Sequence, residues 1–196
     1  MRKAEVNRKT AETDIALSLN LDGTGKAEIQ TGVGFLDHML TLLAHHSGFD
    51  LCVKCQGDIN VDDHHSVEDI GICLGQAFTE SLGSAKGIFR YGNRILPMDE
   101  ALIMCSIDIS GRDCLVYRLN IPNEKVGTFD TELVEEFFSA FVRHARISLH
   151  FHQFEGRNSH HIIEGAFKAF AHALSDAVKI NPEKADQIPS TKGMLV

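Results

Sequence analysis

No run of basic residues appears anywhere in this sequence: 19 Lys and Arg are outnumbered by 27 Asp and Glu, for a net charge of -8. A surface of that sign repels phosphate backbones and anionic lipid, which argues against nucleic acid or a membrane as partner. Apolar stretches stay well short of the ~18 residues that a membrane span requires. The opening Met1-Arg2-Lys3-Ala4-Glu5-Val6-Asn7-Arg8 has no apolar core of a secretory signal. Five cysteines, an odd number without framework spacing, read as reduced thiols in the cytoplasm. Cys52-x-x-Cys55 has no second cysteine pair, and positions three apart on a strand face opposite sides. These two are therefore packed or surface thiols rather than a zinc or thiol-exchange motif. Gly23-x-Gly25 and Gly32-x-Gly34 lack the context of a dinucleotide fingerprint and read as turns.

What the chain does have is histidine, 11 in all, and four of them fall in two matching cassettes. Asp63-His64-His65-Ser66-Val67-Glu68-Asp69 and Ser159-His160-His161-Ile162-Ile163-Glu164-Gly165 lie 96 residues apart, and each contains His-His-x-x-Glu. On a helix, positions i and i+4 share a face, so His64 with Glu68, and His160 with Glu164, can each grip one ion. The next residue is turned by about 100°, so His65 and His161 point away from their neighbours' ion. One cassette then serves two metals. An isolated cassette would be an ordinary solvated helix start, but two at matching places call for a common purpose. His45, His144, His150, His152 and His172 have no partner at ligand spacing, and His46 is a candidate only for the rim of a site.

The repeat extends beyond the cassettes. Shifted by 98, Leu36 falls on Val134, Met39 on Phe137, Leu43 on Phe141, His46 on His144 and His38 on Glu136. Both segments carry the apolar spacing of an amphipathic helix. Asp50–Cys55 and Ser148–His152 follow as alternating strands, each before a glycine, Gly57 or Gly156. Ile15–Leu21 and Leu102–Ile109 open the two halves, with weaker strand signals at Ala27–Gln30 and Leu115–Leu119. The expected fold is α+β, one domain over residues 1–196 of duplicated β-β-α-β-α halves, about 1–92 and 93–196, with sheets packed against helices. Gly92-Asn93 and Pro97 are expected to mark the joint.

If a two-fold operation relates the halves, one ligand set is His38, His65, His160 and Glu164, and its mirror is Glu136, His161, His64 and Glu68. Nitrogen and oxygen donors without sulfur suit Mn(II), Fe(II) or Zn(II) more than a structural zinc site of the cysteine type. Spacing leaves open whether each set closes within a chain or between chains.

Ordered motifs along nearly the whole chain then resemble one family. Arg8-x-Thr10-x-Glu12-Thr13, Phe35-Leu36-Asp37-His38-Met39-Leu40, the two cassettes, Pro97-Met98-Asp99-Glu100-Ala101-Leu102, Ser110-Gly111-Arg112 and Pro189-Ser190-Thr191-Lys192-Gly193 are similar to imidazoleglycerol-phosphate dehydratase. That resemblance implies a duplicated fold like ribosomal protein S5 domain 2 and dehydration of D-erythro-imidazoleglycerol phosphate to imidazole acetol phosphate in histidine biosynthesis. It implies two Mn(II) ions per active site holding an imidazolate form of the substrate, and a homo-oligomer of 24 subunits with sites between them. Glu136 stands where many relatives have histidine, and Thr41-Leu42 where they often have Asp-Gln.

Roles follow from the same resemblance. Glu12 is the expected general acid/base, with Asp99 a further polar candidate. Glu12, His38, His46, His64, Asp99 and His160 are expected against the substrate, and Arg90, Arg112, Lys168, Ser190, Thr191 and Lys192 about its phosphate. Arginine can hold phosphate by two parallel hydrogen bonds, and the last eight residues would close over it. Two rival readings are a two-metal phosphate-ester hydrolase and a noncatalytic metal-binding protein.

Overall fold

Along Thr13–Asn20 every second residue is buried, so Thr13, Ile15, Leu17 and Leu19 face a core while their neighbours face outward. Ala101–Asp108 repeats the pattern with Ala101, Ile103, Cys105 and Ile107 inward. This period of two fixes each as the centre of a half-buried sheet. The computed structural model describes residues 2–195; Met1 and Val196, the outer ends of the two terminal segments read above, lie outside it.

The first half runs β1 (Lys3–Lys9), β2 (Thr13–Asn20), β3 (Ala27–Gln30), α1 (Gly34–Ser47), β4 (Asp50–Gly57) and α2 (His64–Leu82). The second runs β5 (Tyr91–Met98), β6 (Ala101–Asp108), β7 (Cys114–Arg118), a short hairpin of β8 (Lys125–Val126) and β9 (Phe129–Asp130), then α3 (Leu133–Ala145), β10 (Ser148–Glu155) and α4 (Ser159–Val178). Strand orders are β1-β2-β4-β3 and β5-β6-β10-β7, the same arrangement in both halves. In each sheet the last pair is parallel and the others antiparallel. The duplicated α+β fold expected from the sequence is the one observed. Each half has one strand more than expected: β1 and β5, not read from the sequence, precede the strands expected to open the halves, the weaker signals are β3 and β7, and the β8–β9 hairpin is an insertion with no counterpart in the first half.

Gly92, Asn93 and Pro97, expected at the joint, lie inside β5 instead. A Cβ on Gly92 would overlap the Ala173 carbonyl oxygen, so this glycine permits close crossing by α4 rather than a turn. Pro97 is tolerated because β5 is an edge strand.

Helices of one half pack on those of the other, α2 on α3 and α1 on α4. Gly71 and Gly75 allow the first contact: a Cβ on Gly75 would come within 2.6 Å of the Phe141 carbonyl oxygen. Phe138, fully buried, meets Phe151, Phe167 and Phe170 at ring-centroid distances of 4.7–5.2 Å and ties α3, β10 and α4 together. Truncating such a phenylalanine typically costs about 3–5 kcal/mol. Rigid seams between helices are what hold the cassettes in place.

Candidate metal centre and active site

Asn158 sets the start of α4: its side chain accepts the backbone N–H of His160 and of His161. One turn in, His160 Nε2 lies 3.0 Å from Glu164 Oε2, as i,i+4 spacing requires. From the other half, α1 brings His38 Nε2 to 3.6 Å from that oxygen. The donor atoms of His38, His160 and Glu164 all lie within 4.8 Å of one another, the one such trio among the described residues. The ring of Phe35 packs edge-on against His160 at 5.2 Å and restrains it.

Glu164 is buried, with a side chain 9% exposed. Burial pushes its carboxyl up, but Lys168, whose Nζ lies 2.6 Å from Oε1, together with His160 and His38, outweighs that and holds it below the usual carboxylate range. Two imidazoles and an ionised carboxylate, converging without a hydrophobic lid on His38, form a donor set that fits a borderline or hard divalent cation. Lys168, expected among the phosphate contacts, is occupied here by Glu164 and lies 3.5 Å from Met98 Sδ.

His65, expected as the fourth member of that set, lies elsewhere in this chain. Its ring and that of His64 are splayed at 83°, as those of His160 and His161 are at 76°. In the second cassette the two neighbours have different partners, Glu164 for His160 and Glu100 for His161. His65 Nδ1 lies 3.0 Å from Asp58 and its Nε2 lies 3.6 Å from Glu12. His161 Nδ1 lies 2.7 Å from Glu100 and its Nε2 lies 3.6 Å from Asp99. His64, Glu68 and the half-buried Glu136 lie on the packed helices α2 and α3, yet their donor atoms do not gather as the first trio does.

A hydrogen bond from His161 holds the Glu100 carboxyl down at about 2, and the same contact raises the His161 imidazole. The Asp58 contact likewise raises His65. Charged His161 thus stabilises the metal-free fold below its ordinary pKa, and that contribution is lost as pH rises through the raised value. A cation takes the neutral ring, so the same rise in pH favours metal.

Glu12 sits in the turn between β1 and β2, half exposed, where Thr10 Oγ1 accepts the N–H of Glu12 and Thr13. Buried Asp69 on α2 anchors that turn, accepting from Arg8 Nε at 2.9 Å and Thr13 Oγ1 at 2.6 Å. The spacing Arg8-x-Thr10-x-Glu12-Thr13 is thereby explained: its members fasten the Glu12 turn to the helix bearing His65. Sequence reasoning gave Asp69, Asp58 and Glu100 no role: Asp58 and Glu100 lie in loops outside any helical or strand period, and Asp69, though one turn after His65 on α2, is bound instead by Arg8 and Thr13 from the neighbouring sheet.

Arg90, Ser110, Arg112, Ser190, Thr191 and Lys192 line one cavity of about 590 Å³ with Met194 and Leu195. None of the metal trio lines it. Arg90 binds Asp108 through two nitrogens at 2.6 and 3.1 Å and the Pro189 carbonyl at 2.9 Å, so it ties the C-terminal segment to the sheet. His46 lies two turns beyond His38 on α1, its ring 5.3 Å from that of His172. Burial, then His172, lowers its pKa. No helix among the described residues is long and apolar enough to cross a membrane, and all five cysteines are free.

Residues 31–174 match the family model described as imidazoleglycerol-phosphate dehydratase. A protein of that name from Jannaschia sp. is 58% identical over 195 residues, with 100% of each chain covered, and one from Cereibacter sphaeroides is 57% identical at the same coverage. Among solved structures, the imidazoleglycerol-phosphate dehydratase of Staphylococcus aureus matches at 45% identity and a TM-score of 0.84, covering 91% of this chain and 99% of that one. The corresponding Pyrococcus furiosus structure matches at 39% identity and the same TM-score, covering 97% and 100%.

Proposed function

The chain belongs to the imidazoleglycerol-phosphate dehydratase family, and from that premise we propose that this hydro-lyase converts D-erythro-imidazoleglycerol phosphate to imidazole acetol phosphate with two Mn(II) ions per active site. The observation that carries the metal reading is the convergence of His38 from one half on His160 and Glu164 from the other. When bound, the ions supply Lewis-acid polarisation, which acidifies the substrate's ring N–H and weakens the bond to the departing hydroxyl.

The protein's own groups do the rest. His38, His160 and Glu164 hold one ion, and His65 completes the set from a neighbouring copy, because in its own chain it faces Glu12 and Asp58. Glu136, His64, Glu68 and His161 form the second set by the same exchange. A site shared between subunits accounts for the cavity of Arg90, Arg112 and Lys192 excluding the trio of its own chain. The assembly is a homo-oligomer of 24 subunits in the cytoplasm, in keeping with free thiols and the lack of a membrane-spanning helix among the described residues.

Glu12 takes and returns the proton beside the departing hydroxyl, a role supported by the family motif that carries it and by an exposed carboxylate held on a fastened turn 3.6 Å from His65 Nε2. Ser190, Thr191 and Lys192, carried on the segment that Arg90 fastens, close on the phosphate with Arg112. Deleting residues 189–196 is expected chiefly to raise the apparent KM, as steady-state kinetics would register; unchanged kinetics would refute closure.

The direct assay incubates purified protein and Mn(II) with imidazoleglycerol phosphate and measures imidazole acetol phosphate. Release of inorganic phosphate instead would mark a hydrolase, and metal uptake without turnover a binding protein.

A further inference from the structure

We propose that Asp58 and Glu100 are positioning residues that fix the tautomers of His65 and His161, so that each ring presents an unprotonated Nε2 to a cation. The inference rests on the reading of His65 and His161 as ligands. Both Asp58 oxygens lie close to His65 Nδ1, at 3.0 and 3.2 Å, and Glu100 Oε2 lies 2.7 Å from His161 Nδ1. An ionised carboxylate only accepts, so in a neutral ring the proton stays on Nδ1 and the lone pair on Nε2. At 3.6 Å from Glu12 and Asp99, the two Nε2 atoms are beyond hydrogen-bond distance of those groups. Metal-bound histidines commonly carry such a partner, which orients the ring and raises its basicity.

The two halves reach this arrangement from unlike positions. Asp58 follows β4, whereas Glu100 lies in the turn before β6. Counted from the matching glycines, Gly57 and Gly156, the counterpart of Asp58 is Arg157, whose side chain has no acceptor for a ring N–H. An arrangement that duplication did not simply copy, yet that both halves contain, points to a shared demand on the two rings.

Glu100 has a second task, and this makes a discriminating variant available. Its Oε1 accepts the backbone N–H of Arg157 at 3.2 Å and of Asn158 at 2.8 Å, holding the approach to α4. In Glu100→Gln the amide oxygen can keep those two bonds, which turns the NH2 group towards His161. Nδ1 must then accept, and the ring proton moves to Nε2 and blocks it. A merely structural role predicts wild-type metal binding, while the proposal predicts loss.

Calorimetric titration of intact wild-type, Glu100→Gln and Asp58→Ala proteins with MnCl2 tests the idea without any assay of turnover. Asp58→Ala keeps the backbone contacts of residue 58 to Glu12 and Val61. The expected result is a Kd about 10–100-fold weaker in each variant at the ion that the affected histidine serves. A variant within twofold of wild type overturns the positioning role of that residue. Absence of Mn(II) binding by the wild type sinks the underlying ligand reading instead.

Discussion

Glu164→Gln is expected to abolish measurable turnover and to weaken one Mn(II) ion by more than the ~10–100-fold that loss of an outer partner costs. The carboxylate is the charged member of the trio and the point where both histidines converge, at 3.0 Å from His160 and 3.6 Å from His38. The amide has nearly the same shape, so packing against α1 survives while the negative charge does not. Lys168 Nζ, now 2.6 Å from Oε1, then faces a neutral group in a part-buried setting and adds repulsion toward any entering cation. Metal content after dialysis, read beside thermal unfolding, separates loss of the ion from loss of the fold. Full manganese retention with a normal unfolding transition would show that Glu164 is no ligand.

The second large effect is expected of Glu12→Gln: retention of both ions and of assembly, with kcat reduced by about 10²–10⁴-fold, the range supplied by general acid–base groups. Its backbone N–H is held by Thr10 Oγ1 and its side chain is 52% exposed, so the substitution disturbs no buried contact. The turn itself is secured through Thr13 and Arg8 on Asp69, which the variant leaves alone. Single-turnover measurement at saturating Mn(II) isolates the chemical step. Near-normal turnover would remove Glu12 from the mechanism.

Those two residues differ in how visible they were before the fold was known. Glu164 lies one helical turn from His160, and the period of 3.6 announces their shared face from sequence alone. His38 joined them only through the internal repeat, which located α1 by its similarity to α3. Glu12, by contrast, sits in a hairpin turn whose neighbours reveal nothing by periodicity, and family resemblance supplied its role.

Loops hid more. Asp58 and Glu100 reach their histidines from the end of one strand and the start of another, and sequence distance carries no sign of such contacts. Strand β5 was obscured because Gly92 and Pro97 ordinarily interrupt structure, whereas here one admits a crossing helix and the other occupies an edge. Lys168 read as a phosphate cation, yet i,i+4 spacing on α4 already placed it over Glu164. Local geometry would have found that contact.

Crystals of the oligomer soaked in manganese, with an anomalous difference map phased on the protein, test the shared ion site most directly. Two peaks per active site are predicted, one bounded by His38, His160 and Glu164 and by His65 from an adjoining copy. A single peak, or His64 and His65 of one chain meeting on the same ion, would contradict it.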